Sequence, residues 1–241
     1  MPYDELVIGG ISFTSRFFLG SGKTSKYTKE LIESAVADAG AELISFSVKS
    51  LDDEENTLKY IPDGVRILPN TLGATNVDEA VAMARKSRSL GFGDMIKLEI
   101  VNDSKYLLPD NKETIAATEA LSKEGFVVMP YIYPSLPVCR QLVNAGASAL
   151  MPLASTSGSN KGLATRDFIE VLLKEFDIPI IVDAGIGRPS QACEAMELGC
   201  AAVMANTALS KAGNLPLMAQ AFKNAIIAGR EAYLSGYKDH V

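Results

Sequence analysis

The feature that most constrains the fold is a junction that recurs along the chain, where a helical pattern ends at a glycine and a short apolar strand follows. It occurs at Ala39-Gly40-Ala41, Ala145-Gly146-Ala147 and Leu198-Gly199-Cys200-Ala201. Glycine ends helices because it adopts positive φ without a steric penalty. The hydrophobic pattern predicts eight strands with intervening helices, and right-handed βα units of this number close into a parallel barrel. We therefore predict a single α/β domain over residues 1–241, a (β/α)8 TIM barrel, with an open doubly wound sheet as the alternative.

A short hairpin is predicted before the first barrel strand. Residues 5–13 form two apolar runs separated by Gly9-Gly10, which is a strong hairpin signal. We expect this hairpin to plug or cover one end of the barrel.

Composition excludes several classes of function. The net charge is −6 and no cluster of lysine or arginine offsets it, which argues against nucleic acid as a partner. No apolar run approaches the ~20 residues that cross a bilayer, and the first residues lack the basic and apolar regions of a signal peptide. We therefore expect a cytoplasmic protein with no membrane partner.

The cysteine and histidine content narrows the chemistry. Cys139, Cys193 and Cys200 have no CxxC spacing, so we expect buried free thiols. His240 is the single histidine of the sequence and adjoins the C-terminus. This excludes histidine triads and most histidine-containing metal sites. We expect no metal and no cofactor, and acid–base chemistry that uses Glu, Asp, Lys, Tyr or Cys.

The strand predicted at 94–101 carries two ionisable side chains on one face. Alternation along a strand places Met95, Lys97 and Glu99 together, on the side that would point into a barrel. Ionisable groups are rarely buried without a partner or a task. One interpretation is a structural Lys97–Glu99 pair in a core layer. The other is an amine whose pKa is lowered by burial, so that it attacks a carbonyl while the carboxylate moves protons.

Three loops rich in hydrogen-bond donors follow consecutive predicted strands. Barrel enzymes often bind phosphate at the loops after strands seven and eight, here Ala184-Gly185-Ile186-Gly187 and Asn206-Thr207. Gly158 lies in the loop before them. Glycine lets backbone N–H groups approach an anion, and a following helix N-terminus adds a favourable dipole. We therefore predict a phosphate site formed by these loops.

A further carboxylate ends the strand before the second of these loops. Asp183 would lie at the same end of the barrel as Lys97 and Glu99. In that place it completes a lysine and two carboxylates beside a phosphate site, which suits imine chemistry on a phosphorylated sugar. The alternative is a structural role, in which Asp183 caps the helix that begins near Pro189 or pairs with Arg188.

Several short motifs, taken in order, resemble those of one enzyme family. They are Leu68-Pro69-Asn70-Thr71, Lys97-Leu98-Glu99, Gly125-Phe126-Val127-Val128-Met129-Pro130-Tyr131, Val182-Asp183-Ala184-Gly185-Ile186-Gly187 and Ala205-Asn206-Thr207-Ala208. Over nearly its whole length the chain is similar to the thiazole synthases of bacterial and plastid thiamin biosynthesis.

The resemblance implies a (β/α)8 barrel, commonly a homotetramer, that forms the thiazole phosphate of thiamin. Its inputs would be 1-deoxy-D-xylulose 5-phosphate, dehydroglycine (iminoacetate) from a dehydroglycine-forming enzyme, and sulfur from the thiocarboxylated C-terminus of a small sulfur-carrier protein. The family's imine-forming lysine corresponds to Lys97, and its acid–base carboxylates correspond to Glu99 and Asp183. Its sugar-phosphate contacts correspond to Gly158, Ala184, Gly185, Asn206 and Thr207.

Two loops depart from the family pattern. Residues 47–50 read Ser-Val-Lys-Ser where an arginine-rich strand end is expected, and residues 155–162 lack the usual Pro-Ile and arginine. Lys49 and Lys161 keep a positive charge in these loops, but lysine does not reproduce the bidentate geometry of arginine. These departures bear on carrier docking and on loop order.

Three other functions fit parts of the same pattern. A class I aldolase would form the same imine but cleave a carbon–carbon bond. A flavin-binding barrel would use the loop after Asp183 for the flavin phosphate. In a non-catalytic phosphosugar-binding barrel, Lys97 and Glu99 would be only a core pair.

Overall fold

The computed structural model describes residues 4–21, 27–51, 57–103 and 105–236. Gly22 and Lys23, which follow the first predicted barrel strand, the acidic residues at 52–55 and the single histidine, His240, lie outside these ranges.

Ten strands and eight α-helices lie in the described residues. The strands are β1 (Leu6–Ile8), β2 (Ile11–Phe13), β3 (Phe17–Leu19), β4 (Leu43–Ser47), β5 (Arg66–Asn70), β6 (Met95–Leu98), β7 (Val127–Ile132), β8 (Met151–Pro152), β9 (Ile181–Val182) and β10 (Ala202–Ala205). The helices are α1 (Lys29–Ala37), α2 (Val77–Ser89), α3 (Asn111–Lys123), α4 (Leu136–Asn144), α5 (Arg166–Glu175), α6 (Pro189–Glu197), α7 (Thr207–Ser210) and α8 (Leu215–Leu234). Single 3₁₀ turns lie at Val48–Ser50 and Thr57–Tyr60.

Eight of the strands form a parallel sheet that closes on itself. Its order is β8-β7-β6-β5-β4-β3-β10-β9. The two end strands are joined by parallel bridges between Leu150 and Ile180 and between Leu153 and Asp183. The N–H of Ile181 donates to the Leu150 carbonyl at 2.9 Å, so hydrogen bonding continues across the seam. The predicted (β/α)8 barrel is therefore confirmed, and the open doubly wound sheet is excluded.

The predicted hairpin is formed by β1 and β2, which pair antiparallel about Gly9-Gly10. Its apolar side chains pack with those that line the inside of the barrel in one buried cluster. The cluster contains Leu6, Ile8, Phe13, Phe18, Leu43, Leu68, Met95, Met129, Met151 and Met204. The hairpin thus closes the end of the barrel opposite the carboxyl ends of the strands, as expected.

A second and larger cluster fills the space between the sheet and the helices. It includes Ile96, Leu98 and Ile100 of the β6 region, whereas Met95 belongs to the interior cluster. The predicted alternation of this strand is therefore confirmed. Its odd-numbered side chains face into the barrel and its even-numbered ones face the helices.

Local signals explain the helix limits. The Asn76 side chain accepts a hydrogen bond from the Glu79 N–H at 3.0 Å and caps α2, as its position in the sequence predicts. Gly40 follows α1 with φ +77°, the conformation expected of a glycine after a helix. The short helix α7 was not anticipated, because four residues give too little periodicity to detect. Across the described ranges, every helix is too short or too polar to cross a membrane.

Candidate active site

The predicted lysine and two carboxylates meet at the carboxyl ends of the strands. Lys97 lies on β6, Glu99 directly follows that strand, and Asp183 directly follows β9. Their exposed fractions are 5%, 6% and 6%. All three line one cleft, whose volume is about 590 Å³ including the part open to solvent. The barrel therefore brings together residues that the sequence could only assign to the same end.

The Lys97 ammonium lies between the two carboxylates. Nζ is 2.5 Å from Asp183 Oδ2 and 3.0 Å from Glu99 Oε1. Both contacts are short ion pairs between buried side chains, and Asp183 supplies the nearer oxygen. The sulfur of Met204 lies 3.6 Å from Nζ, and the centroid of the Tyr131 ring lies 5.5 Å from it.

The pKa of Lys97 is raised above its ordinary value. Burial alone would lower the pKa, but the carboxylates of Asp183 and Glu99 together outweigh the desolvation. The expectation that burial would lower the pKa is therefore wrong for this arrangement. The expectation did not include Asp183 beside Lys97. A second carboxylate 2.5 Å from Nζ favours the ammonium form of the lysine.

Glu99 shows the opposite balance. Burial raises the pKa of this carboxyl, the charge of Lys97 lowers it, and the charge of Asp183 raises it further. The net shift is upward. Two carboxylates that share one ammonium in a dry site cannot both be fully compensated. Glu99 is thus protonated more readily than a free glutamate would be.

The backbone turn after β9 fixes the orientation of Asp183. Its Oδ1 accepts a hydrogen bond from the Ala184 N–H at 2.8 Å, which leaves Oδ2 for Lys97. Ala184 has φ +58°, a left-handed conformation that is uncommon outside glycine. The alternative structural roles are not observed, because the carboxylate oxygens of Asp183 contact Lys97 and the Ala184 N–H. Arg188 precedes α6 as its N-cap residue, and the Gln191 side chain accepts from the Arg188 N–H at 3.1 Å.

The five predicted phosphate-site residues all line the same cleft as Lys97. They are Gly158, Ala184, Gly185, Asn206 and Thr207. A Cβ atom at Gly185 would lie 2.7 Å from the Ser155 backbone nitrogen, so this loop must carry glycine. The side chain of Asn206 is partly committed, since its Nδ2 donates to the Gly20 carbonyl at 2.7 Å. Sequence reasoning placed these loops correctly at one end of the barrel.

A polar network on the neighbouring strands was not predicted from the sequence. The buried amide of Asn70 donates from Nδ2 to Ser45 Oγ at 2.9 Å and to Ser21 Oγ at 3.2 Å. The Tyr27 hydroxyl lies 2.7 Å from the Gly20 carbonyl and 2.5 Å from that of Ser45. A polar residue at the end of a buried strand, such as Asn70 on β5, was the available signal.

Comparison with known proteins identifies the family. A family model described as "Thiazole biosynthesis protein ThiG" matches residues 7–241. A thiazole synthase of Clostridium beijerinckii is 61% identical over 238 residues, which are 98% of this chain and 92% of that protein. A thiazole synthase of Fusobacterium nucleatum is 57% identical over 234 residues, 96% of this chain and 90% of that one.

The chain belongs to the thiazole biosynthesis protein ThiG family. It is therefore an enzyme of thiamin biosynthesis that acts as a thiazole synthase, as the sequence motifs indicated.

Solved structures agree with this assignment at the level of fold. In the complex of Amycolatopsis orientalis BexX with CysO, the similar chain has a TM-score of 0.82 and 30% identity, with 98% of both chains covered. A thiamine phosphate pyrophosphorylase of Pyrococcus furiosus has a TM-score of 0.58 at 16% identity, covering 89% of this chain and 96% of that one. The second likeness shows the barrel fold alone.

The two loops that are unusual for a ThiG-family enzyme are both anchored. In the 47–50 loop, Lys49 Nζ donates to the Gly73 carbonyl at 3.3 Å. In the 155–162 loop, the hydroxyls of Ser155 and Ser159 lie 3.0 Å apart, and the N–H of Gly162 donates to Gly185 at 2.8 Å. The second loop is thus tied to the Asp183 turn by backbone bonds that do not depend on the missing proline or arginine.

Proposed function

We propose that this ThiG-family enzyme builds the thiazole phosphate from 1-deoxy-D-xylulose 5-phosphate, dehydroglycine and a carrier-bound sulfur, through an imine at Lys97. The observation that supports the proposal is a buried lysine between two carboxylates, open to a cleft that glycine loops line. A core pair without a task would not need to face a cleft.

The first chemical step requires removal of a proton from Lys97. Because the neighbouring carboxylates hold it as an ammonium, the nitrogen has no lone pair until one of them accepts the proton. Asp183 is the proposed acceptor, since its Oδ2 is the nearer oxygen at 2.5 Å. The free amine then adds to the ketone carbon of the sugar, and the carbonyl oxygen takes up a proton to give a carbinolamine.

Loss of water from the carbinolamine forms the imine. The leaving hydroxyl takes a proton from a nearby acid, and Glu99 is the proposed donor because its raised pKa favours the protonated carboxyl. The products are the imine and one water, so atoms balance. Proton transfers by Glu99 and Asp183 then move the carbonyl to the neighbouring carbon of the sugar.

The remaining steps use the two other inputs. The thiocarboxylate sulfur of the carrier attacks the new carbonyl carbon, the acyl group of the carrier passes from sulfur to the former carbonyl oxygen, and the carrier leaves as its carboxylate with that oxygen, so that the sulfur stays on the sugar carbon. Condensation with dehydroglycine, with loss of water, closes the ring. The sugar phosphate is proposed to bind Gly158, Ala184, Gly185, Asn206 and Thr207, which line the cleft.

The proposed partners are a small sulfur-carrier protein with a thiocarboxylate C-terminus and a dehydroglycine-forming enzyme. Support for a protein partner comes from BexX, a structurally similar protein that forms a complex with CysO. We also propose a homotetramer. The long helix α8 exposes Leu217, Ile227 and Leu234, apolar side chains that an interface with a second copy of the chain would cover. Light scattering measures the assembly directly.

The proposed compartment is the cytoplasm. The cysteines Cys139, Cys193 and Cys200 are free, which suits a reducing environment.

Borohydride trapping tests the central step. The protein is incubated with 1-deoxy-D-xylulose 5-phosphate, reduced, digested and analysed by mass spectrometry. We expect a reduced sugar-phosphate adduct on the Lys97 peptide, absent from Lys97→Ala. The matched control is Lys49→Ala, which removes an exposed lysine at the same end of the barrel and should leave the adduct unchanged. An adduct on another lysine, or none in folded protein, contradicts the Lys97 mechanism.

The sulfur step is tested with the carrier. Incubating the unreduced enzyme with 1-deoxy-D-xylulose 5-phosphate, thiocarboxylated carrier and dehydroglycine should give a thiazole phosphate. If carbon–carbon cleavage products appear instead, the enzyme is working as an aldolase.

A further inference from the structure

Tyr131 lies between the proposed imine lysine and the first of the proposed phosphate loops. Its strand, β7, pairs with β6 on one side and with β8 on the other. β6 carries Lys97, and the loop after β8 carries Gly158. The side chain of Tyr131 is 3% exposed and lines the cleft. A sugar chain that joins a carbon at Lys97 to a phosphate at Gly158 would span the arc in which this tyrosine lies.

The ring and the hydroxyl of Tyr131 face different groups. The ring centroid is 5.5 Å from Lys97 Nζ, within the range of a cation–π contact. The hydroxyl donates to the Leu107 carbonyl at 3.3 Å. Leu107 belongs to the segment after β6 and has φ +54°, and its own N–H donates to the Asp103 carbonyl at 2.9 Å. The carbonyl that accepts the hydrogen bond from the Tyr131 hydroxyl is therefore part of a hydrogen-bonded turn.

A purely structural role would explain why an aromatic ring is buried at position 131, but it would not explain why that ring carries a hydroxyl group. Hydroxyl hydrogen bonds are usually ~2.7–2.8 Å long, so a 3.3 Å bond recovers little of the cost of burying a hydroxyl. Phenylalanine would fill the same volume and keep the ring beside Lys97 without that cost. The phenol oxygen has two lone pairs beside its single hydrogen. With the hydrogen directed to Leu107, the oxygen can still accept a bond from a hydroxyl in the cleft.

The phenol keeps its hydrogen near neutral pH. Burial and the charges of Asp183 and Glu99 raise the pKa of Tyr131 well above its ordinary value. The groups that face it are thus two carboxylates and the ammonium of Lys97, and an anionic phenolate would be unfavourable beside the carboxylates.

We propose that the Tyr131 hydroxyl is a substrate contact, accepting a hydrogen bond from a hydroxyl of the sugar chain while it donates to Leu107. This inference rests on the proposed function, because it takes the phosphorylated sugar as the ligand. It adds a residue that selects for a hydroxyl on the carbon chain between the imine carbon and the phosphate. A sugar chain without that hydroxyl leaves the phenol oxygen unpaired in the complex.

The test is Tyr131→Phe, which removes one oxygen and preserves the ring. Tyr133→Phe is the matched control, since Tyr133 lies two residues further along and is 44% exposed. For wild type and both variants, calorimetry gives the Kd for 1-deoxy-D-xylulose 5-phosphate. Borohydride trapping gives the rate of adduct formation, and thermal unfolding reports the fold.

We expect Tyr131→Phe to raise the Kd by about five- to tenfold, the usual effect of one neutral hydrogen bond. Adduct formation at subsaturating sugar phosphate should slow in proportion, whereas saturating sugar phosphate should restore most of the rate. Tyr133→Phe should match wild type in both measurements. Thermal midpoints of all three proteins should agree to within a few degrees.

Two results would overturn the inference. One is a Tyr131→Phe protein that binds the sugar phosphate as wild type does. The other is an equal loss of affinity in both variants. Failure of the imine mechanism is distinguishable, because wild type would then bind the sugar phosphate without forming an adduct at Lys97. The ratio of Kd values between Tyr131→Phe and wild type would still decide the role of the phenol.

Discussion

The Thr71 hydroxyl bonds both backbone groups of Glu99. It accepts from the Glu99 N–H and donates to the Glu99 carbonyl, each at 2.8 Å. Thr71 is fully buried and directly follows β5, so a neighbouring strand fixes the backbone from which the Glu99 carboxylate projects. The Thr71 N–H also donates to the Lys97 carbonyl at 3.1 Å, so one residue of the neighbouring strand fixes the backbone under both the lysine and the carboxylate.

Replacing Thr71 by valine tests this dependence. Valine keeps the shape of the side chain but leaves a buried N–H and a buried carbonyl without their shared partner, which costs ~1–3 kcal/mol for each group. We expect Thr71→Val to lower the free energy of unfolding by about 2–6 kcal/mol in urea denaturation. Thiazole formation should fall at least ~tenfold, because a misplaced catalytic group is costly.

Thr71→Ser is the matched control. Serine keeps the hydroxyl and loses only a methyl group, so most of the stability and activity should return. Equal behaviour of the valine and serine variants would show that the hydroxyl does not position Glu99.

Asp183→Asn should lower the pKa of Lys97. Asp183 is the larger electrostatic cause of the raised pKa, and an amide removes its charge while Glu99 alone remains to oppose the desolvation. Trace acylation of Lys97, followed by peptide mass spectrometry across a pH series, should reach half-reaction at a lower pH than in wild type. Catalysis should nevertheless fall, because the proposed proton acceptor is lost.

Asp94→Asn is the control for that substitution. Asp94 is exposed and pairs with Arg88 at 2.6 Å, away from the barrel interior. Its variant should leave the Lys97 acylation profile in place. If Asp183→Asn gives the same half-reaction pH as Asp94→Asn, the charge of Asp183 does not govern the lysine.

The buried thiols predict an alkaline loss of stability. Burial raises the pKa of Cys139 to about 11 and that of Cys200 to about 12, against about 8.5 for a thiol in the unfolded chain. Above about 8.5 the unfolded state loses these protons while the folded state keeps them, so stability falls as pH rises. The stability that each neutral thiol contributes is fully present below pH ~8.5, and it is lost as the pH rises through the pKa of that thiol in the folded protein.

Each buried thiol should add about 1.4 kcal/mol per pH unit to the decline between pH ~9 and ~11. Denaturation across this range should show that slope reduced in Cys139→Ala and in Cys200→Ala, whatever the cavity does to stability at neutral pH. Cys193→Ala is the control, because Cys193 is partly exposed and its slope should change less. Parallel slopes in all four proteins would contradict the assignment.

Features of the site that depend on neighbouring residues in the sequence could be predicted, whereas features that depend on contacts between distant parts of the chain could not. Alternation along one strand was enough to place Lys97 and Glu99 inside the barrel, and this held because the period of a strand is local. The sign of the Lys97 pKa shift was not accessible. It depends on a 2.5 Å contact with Asp183, which only closure of the barrel between β8 and β9 creates.

The polar supports show the same limit. Asn70 and Thr71 were visible as part of a family-like motif, but their roles come from contacts with other strands. Asn70 reaches Ser45 on β4, and Thr71 reaches Glu99 after β6. A motif indicates that polar residues end a strand, and the register of neighbouring strands decides what they bind.

Gly185→Ala should weaken the binding of the sugar phosphate, because it displaces a loop of the proposed phosphate site. Gly185 has φ +84°, which costs an alanine ~1–2 kcal/mol. A Cβ there would also lie 2.7 Å from the Ser155 backbone nitrogen, so the loop that holds Gly158 must shift.

Gly64→Ala is the control, with φ +89° and nothing within 4 Å of the added Cβ. Calorimetry should show at least a ~tenfold rise in Kd for the Gly185 variant alone, because a displaced donor loses its hydrogen bond to the phosphate. An unchanged Kd would mean that the phosphate binds elsewhere in the cleft.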